Sequence, residues 1–194
     1  MNKITLIIVD CQYDFIDGSL AVPSAWTAVI NIIDFINDYA SIIEDVIFTV
    51  DWHPLDHCSF EKNGGQWPVH CVKHTEGAAI AKPLISAVAK NNINYYVAEK
   101  GSCSSKEEYG AFSEHLKERH YPEEGYLSDG VNVYSYNPSS DIVVCGIAGD
   151  YCVKETIKNI IDLKPKVFLK GVASIDDGST IKNFINEHNL EVIE

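Results

Sequence analysis

Residues 142–163 read IVVCGIAGDYCVKETIKNIIDL. The first four are apolar and rich in β-branched side chains, a run too short for a helix and typical of a strand buried on both faces. Beyond Gly146 and Gly149 the pattern turns helical, with Val153, Ile157, Ile160 and Ile161 apolar over residues 151–163. A strand passing at once into a helix is one half of a βαβ unit, and the same alternation extends in both directions. Apolar runs at 4–9, 46–50, 95–98, 167–169 and 190–193 predict further strands. Between them, Ser24 is placed to cap a helix whose apolar face is Trp26, Val29, Ile30, Ile33 and Ile36. Pro83 opens another, with Leu84, Ile85, Val88 and Ala89 inward, and residues 106–119 and 180–189 predict two more. Such alternation requires a parallel sheet covered on both faces. The expected fold is α/β, three layers α/β/α around a central, mostly parallel sheet. Two stretches break the pattern. Residues 52–78 form a long loop rich in His, Gly and Pro, of the kind that carries function. Residues 121–140, with Ser128-Asp129-Gly130 inside, predict a small hairpin or flap.

The 194 residues, 46% of them hydrophobic, suffice for one full core, so residues 1–194 are expected to form a single domain. Lys and Arg number 15 against 28 Asp and Glu, a net charge of −13 that repels nucleic acid and anionic membranes. No apolar stretch approaches the ~20 residues of a membrane span, and the N-terminus does not read as a signal peptide. Six cysteines at 11, 58, 71, 103, 145 and 152 contain no CxxC pair, which fits reduced thiols and a cytoplasmic location. Nothing in the composition decides whether the chain forms a homo-oligomer.

Ligands of open parallel sheets bind beyond the carboxyl ends of the strands. Those ends carry Asp10, Asp51, Lys100 and the 146–152 segment. Asp10, Lys100 and Cys152 supply a base, a cation and a nucleophile. Cys152 falls in the first turn of its helix, where free amides are expected to lower a thiol pKa and to hold an oxyanion. The other five cysteines lack such a setting and read as packing residues. Asp51-x-His53, with His70 returning on the same loop, supplies one carboxylate and two imidazoles, a donor set suited to Zn²⁺, Mn²⁺ or Fe²⁺ with positions left open. His74, His115, His120 and His188 read as structural.

These segments together resemble the nicotinamidases and pyrazinamidases of the isochorismatase-like cysteine hydrolases. DCQYDF at 10–15 is similar to their DxQxDF opening, DWHPLDHCSF at 51–60 to DWHPxxHxSF, and WPVHCVKHTEGA at 67–78 to WPxHCVxxTxGA. Lys100-Gly101, YGAF at 109–112 and GIAGDYCVKET at 146–156 follow in order. The resemblance implies Cys152 as nucleophile, Asp10 as general base and acid, and Lys100 as third member. It implies one divalent metal, with zinc first and Mn or Fe as alternatives, on Asp51, His53 and His70, and leaves His57 open as a further ligand. It implies a cis peptide before Ala148, an oxyanion hole from the Ala148 and Cys152 amides, and a substrate ring flanked by Phe15, Leu20, Trp67 and Tyr109. The implied partner is a small-molecule amide, hydrolysed through a thioester within pyridine-nucleotide salvage. A related cysteine amidase acting on another small amide or a carbamoyl compound is the alternative. A non-catalytic binding protein or a redox-sensing thiol are rivals of another class. The chain departs from the pattern at Gly110, where serine is usual, and at Gly149, where threonine is usual. It also departs in the short interval from Phe60 to Trp67, over residues 121–140, and after Gly171.

Overall fold

A computed structural model describes residues 3–113 and 140–194. Its six strands are β1 (Ile4–Val9), β2 (Ile43–Asp51), β3 (Asn94–Lys100), β4 (Asp141–Ile147), β5 (Lys166–Ala173) and β6 (Val192–Ile193). They form one sheet in the order β3-β2-β1-β4-β5-β6, parallel at every described pair. The helices are α1 (Tyr13–Ile16), α2 (Ala25–Tyr39), α3 (Lys82–Lys90), α4 (Lys154–Asn159) and α5 (Ser179–Glu187). The expected three-layer α/β/α arrangement is the observed one. Successive residues of β1 serve opposite cores: Leu6 and Ile8 pack with α2 and α3, whereas Ile7 and Val9 pack with α4 and α5. Fully burying each such side chain contributes roughly 1.5–3 kcal/mol.

Four expectations change. First, α2 presents Ala25, Ala28, Val29, Ile32, Phe35 and Ile36 to the sheet, while Trp26 and Ile30 are 38% and 55% exposed. The small Ala25 and Ala28 are part of that seam, and Gly171 of β5 sits so close that a Cβ there would meet Ile32 at 2.9 Å. Ser24 does occupy the cap position of α2, but with φ 61 and no side-chain cap bond. Second, α3 buries Ala87 beside Leu84 and Val88, leaving Ala89 exposed and Ile85 half-buried. Third, residues 106–113 are not helical; the rest of that expected helix, and the expected hairpin up to residue 139, lie outside the described residues. Fourth, the helix expected over 151–163 is broken into a π-helical turn, Gly149–Val153, then α4 and a 3₁₀ turn, Ile161–Leu163. No helix among the described residues is long and apolar enough to cross a membrane.

Candidate active site

The strand order reverses at β1, with β2 on one side and β4 on the other, and such a switch point opens a crevice at the carboxyl edge. Asp10 follows β1 in a left-handed conformation (φ 47) with its amide donating to Thr49 O at 3.1 Å. Its Oδ1 accepts the Thr49 hydroxyl at 2.6 Å, and its Oδ2 lies 2.7 Å from Lys100 Nζ. Lys100 Nζ is also 3.6 Å from Cys152 Sγ. Asp10 and Lys100 are wholly buried and Cys152 nearly so. The three groups that the sequence put at separate strand ends therefore meet in one dry cluster.

Burial pushes the Asp10 carboxyl above its usual range and the Asp51 charge adds to this, against the opposing pull of Lys100. Burial likewise drives the Cys152 thiol well up, with Lys100 opposing and the two carboxylates reinforcing. Here the expected lowering of the thiol pKa is overturned. Cys152 sits inside the π-helical turn rather than at a regular α-helix start, and its burial beside Asp10 and Asp51 sets the direction. Lys100 stays charged: burial disfavours its ammonium, but Asp10 and Asp51 more than compensate. The resting cluster is a protonated thiol beside a carboxylate of raised basicity, an arrangement made for proton transfer.

The peptide between Ile147 and Ala148 is cis, as the resemblance implies. Gly146 precedes it at φ 121, where a Cβ would lie 2.1 Å from Val9 O, so only glycine lets β4 run this close to β1. The Ala148 carbonyl accepts the Tyr151 and Val153 amides at 3.1 and 3.0 Å, which ties the turn down under Cys152.

Asp51 and Lys100 are the last residues of β2 and β3. His53 Nε2 and His70 Nε2 lie 3.4 and 3.9 Å from Asp51 Oδ2. Each imidazole has its other nitrogen on a backbone carbonyl: His53 Nδ1 on Gly101 O and His70 Nδ1 on Pro68 O, both at 2.8 Å. A carbonyl only accepts, so both Nδ1 atoms carry the proton and both Nε2 lone pairs converge beside Asp51. One ligand atom from each of the three residues falls within 4.8 Å of the others. The residues present fit a divalent cation. His57 is different: its Nδ1 accepts the Ser59 amide at 3.2 Å and its Nε2 donates to Lys106 O at 3.0 Å. With both nitrogens used, it stacks on His53 at 4.0 Å between ring centroids rather than joining the set.

A narrow pocket opens onto Cys152 and Asp51. Phe15, Leu20, Trp67 and Tyr109, all expected to flank a substrate ring, line it. Tyr151 lines it too, and Trp67 meets it edge-on at 5.1 Å while donating its indole N–H to Tyr109 OH at 3.1 Å. The wall is thus aromatic and amphipathic, with apolar faces and a polar Tyr109–Trp67 edge.

Sequence reasoning assigned no role to Gln12 and Asp14, although both fall in the DCQYDF motif. Gln12 is fully buried; its amide donates to Asp51 O and Ala78 O and accepts Asp51 N–H, each at 2.8 Å. Asp14 Oδ2 accepts the Cys71 amide at 2.7 Å, fixing the residue after His70. Gly110, the departure from serine, packs so tightly on α4 that a Cβ would lie 2.6 Å from Glu155 C. Cys58 and Cys103 are half-buried and exposed, so the packing role expected of them holds only for Cys11, Cys71 and Cys145.

The isochorismatase domain family matches residues 5–170. The chain is 30% identical over 223 residues to the nicotinamidase of Saccharomyces cerevisiae, covering 98% of this chain and 99% of that protein. It is 31% identical over 183 residues to the nicotinamidase/pyrazinamidase of Mycobacterium tuberculosis, covering 91% and 89%. Among solved structures, the yeast nicotinamidase superposes with a TM-score of 0.78 at 28% identity, covering 98% of this chain and 99% of that one.

Proposed function

The chain belongs to the isochorismatase domain family, and on that premise we propose that it is a nicotinamidase, hydrolysing nicotinamide and pyrazinamide to the acid and ammonia. The observation that carries this reading is the junction of two clusters at one pocket. Cys152 reaches the pocket from the cluster it forms with Asp10 and Lys100, and Asp51 and His70 reach it from the cluster they form with His53.

Asp10 takes the Cys152 proton as Sγ attacks the carboxamide carbon. The negative charge that develops on the carbonyl oxygen faces the Ala148 and Cys152 amides; one such donor contributes roughly 3–4 kcal/mol in other acyl-transfer enzymes. Asp10 then passes its proton to the departing ammonia, leaving a thioester on Cys152. Water, deprotonated by Asp10, cleaves the thioester to the carboxylic acid and restores the thiol. Lys100 stays an ammonium throughout and balances the charge that moves between Asp10 and Cys152. Asp51, His53 and His70 would hold one divalent cation, zinc by the two-imidazole, one-carboxylate donor set, with Mn²⁺ or Fe²⁺ as alternatives. When bound, that ion supplies a Lewis-acid centre for the ring nitrogen of a pyridine carboxamide. Trp67, Tyr109 and Tyr151 hold the ring, and Phe15 and Leu20 close its apolar side.

Ammonia release from nicotinamide, pyrazinamide and N-carbamoyl amino acids tests the assignment. Turnover of the two aromatic amides far above the carbamoyl compounds is expected. The reverse ranking would assign the chain to the carbamoyl-amide branch.

A further inference from the structure

Residues 101–109 are irregular and direct their polar groups at the loop that carries His53. Gly101 O takes His53 Nδ1–H, Ser104 O takes the Cys58 amide at 2.8 Å, and Lys106 O takes His57 Nε2–H. Glu107 accepts the Ser59 hydroxyl, and Tyr109 OH accepts Trp67 and Gln66. At the centre of this segment is a buried carboxylate, Glu108, 6% exposed. Its Oε2 accepts the Gly101 amide at 3.1 Å, and its Oε1 pairs with Lys106 Nζ at 2.8 Å.

The peptide unit between Lys100 and Gly101 joins the two halves of the site. Its carbonyl accepts the Trp52 amide at 2.9 Å, between Asp51 and His53, and its N–H goes to Glu108. Gly101 is left-handed (φ 62), and a Cβ there would lie 2.4 Å from His53 Cε1. A glycine is therefore required, and glycine by itself leaves the orientation of its carbonyl unfixed. We propose that Glu108 is a positioning residue: by holding the Gly101 amide it aims the Gly101 carbonyl at His53 Nδ1. That fixes the imidazole tautomer whose Nε2 faces Asp51, and it anchors the backbone at Lys100. Glu108 touches neither substrate nor metal and acts through Gly101. The effect on metal binding rests on the metal reading given above; the effect on the tautomer does not.

The test compares Glu108→Ala and Glu108→Gln with the wild-type protein. Glutamine keeps an acceptor for the Gly101 amide and loses the ion pair with Lys106. Zn²⁺ affinity is measured by competition with a chelator, and the His53 tautomer by long-range ¹H–¹⁵N correlation before and after chelation. Loss of such an outer partner lowers metal affinity by roughly 10–100-fold. Glu108→Ala should show that loss, a fall in kcat larger than the change in KM, and a mixed His53 tautomer. Glu108→Gln should restore a single Nδ1–H tautomer and most of the affinity. An alanine variant with wild-type Zn²⁺ affinity and an unchanged tautomer overturns the proposal. So does a glutamine variant as impaired as the alanine one. If wild-type protein itself binds no Zn²⁺, the metal reading fails, and the tautomer of the variants still decides the role of Glu108.

Discussion

Lys100 stands opposite Asp51 in the parallel β2–β3 ladder, and its ammonium pairs with Asp51 Oδ1 while Asp51 Oδ2 faces His53 and His70. One carboxylate therefore belongs to both clusters. Its pKa follows from the sum: burial would raise it, but Lys100 first, then His53 and His70, hold it below the usual carboxylate range.

Removing Lys100 should strip two buried carboxylates of their counter-ion. Breaking a buried pair on one side costs about 3–5 kcal/mol. Lys100→Met is expected to lose stability on that scale in denaturant unfolding, together with turnover. A variant as stable as wild type would show that the pairing does not stabilise the fold.

Cys152→Ala should abolish ammonia release while circular dichroism and metal content are retained, because the side chain lines the pocket and lies outside the Asp51, His53 and His70 set. Cys145→Ala is the control. That thiol is wholly buried in β4 with Sγ 3.7 Å from Ile7 O, so its loss should lower the melting temperature and spare kcat. Retained turnover in Cys152→Ala would move the nucleophile elsewhere.

Asp10 must be ionised to accept the thiol proton. Its pKa is raised, chiefly by burial, so the competent fraction declines as pH falls through a value above the ordinary ~4 of a carboxyl. The acid limb of kcat/KM should lie correspondingly high. The Thr49 hydroxyl stabilises the ionised form, so Thr49→Val should move that limb to still higher pH. A limb that stays in place or moves down would contradict this account of Asp10.

Chelation should remove most activity and leave the far-UV spectrum nearly unchanged, since the sheet is held by backbone pairing and by its two apolar cores. Added Zn²⁺, Mn²⁺ or Fe²⁺ should restore the rate. His53→Ala should lower metal content and turnover together, whereas His57→Ala should weaken the metal and keep its stoichiometry, because His57 only backs His53. Equal rates with and without metal would reduce the cluster to a polar loop.

Gly110→Ser tests the close packing of the 109–112 turn on α4. The added Cβ would meet the Glu155 backbone at 2.6 Å. Overpacking of this kind costs roughly 1–3 kcal/mol, so a lower unfolding midpoint is expected. A neutral change would mean that the 109–112 turn can move off α4.

The alternation of strands and helices was legible in the sequence because a parallel sheet buried on both faces needs continuous β-branched runs, and β1 was read to the residue. Asp10, Asp51, Lys100 and Cys152 were legible for the same reason: the carboxyl edge of such a sheet collects whatever ends its strands. Local pattern could not choose the buried face of α2. The helix is apolar around much of its circumference, and the choice rests on tertiary packing such as the close approach of Ile32 to Gly171 of β5. Residues 106–113 carry a helical pattern, yet they forgo a helix because hydrogen bonds to the 53–67 loop use their backbone and side chains. The protonation of Cys152 was likewise out of reach. A helix-start position argues for a lowered pKa, and only the three-dimensional burial of the thiol among Asp10, Asp51 and Lys100 reverses the sign. The sequence by itself determined which groups gather at the edge. The tertiary structure decided their proton states, their tautomers and the exclusion of His57, because those depend on distances and burial that no spacing encodes.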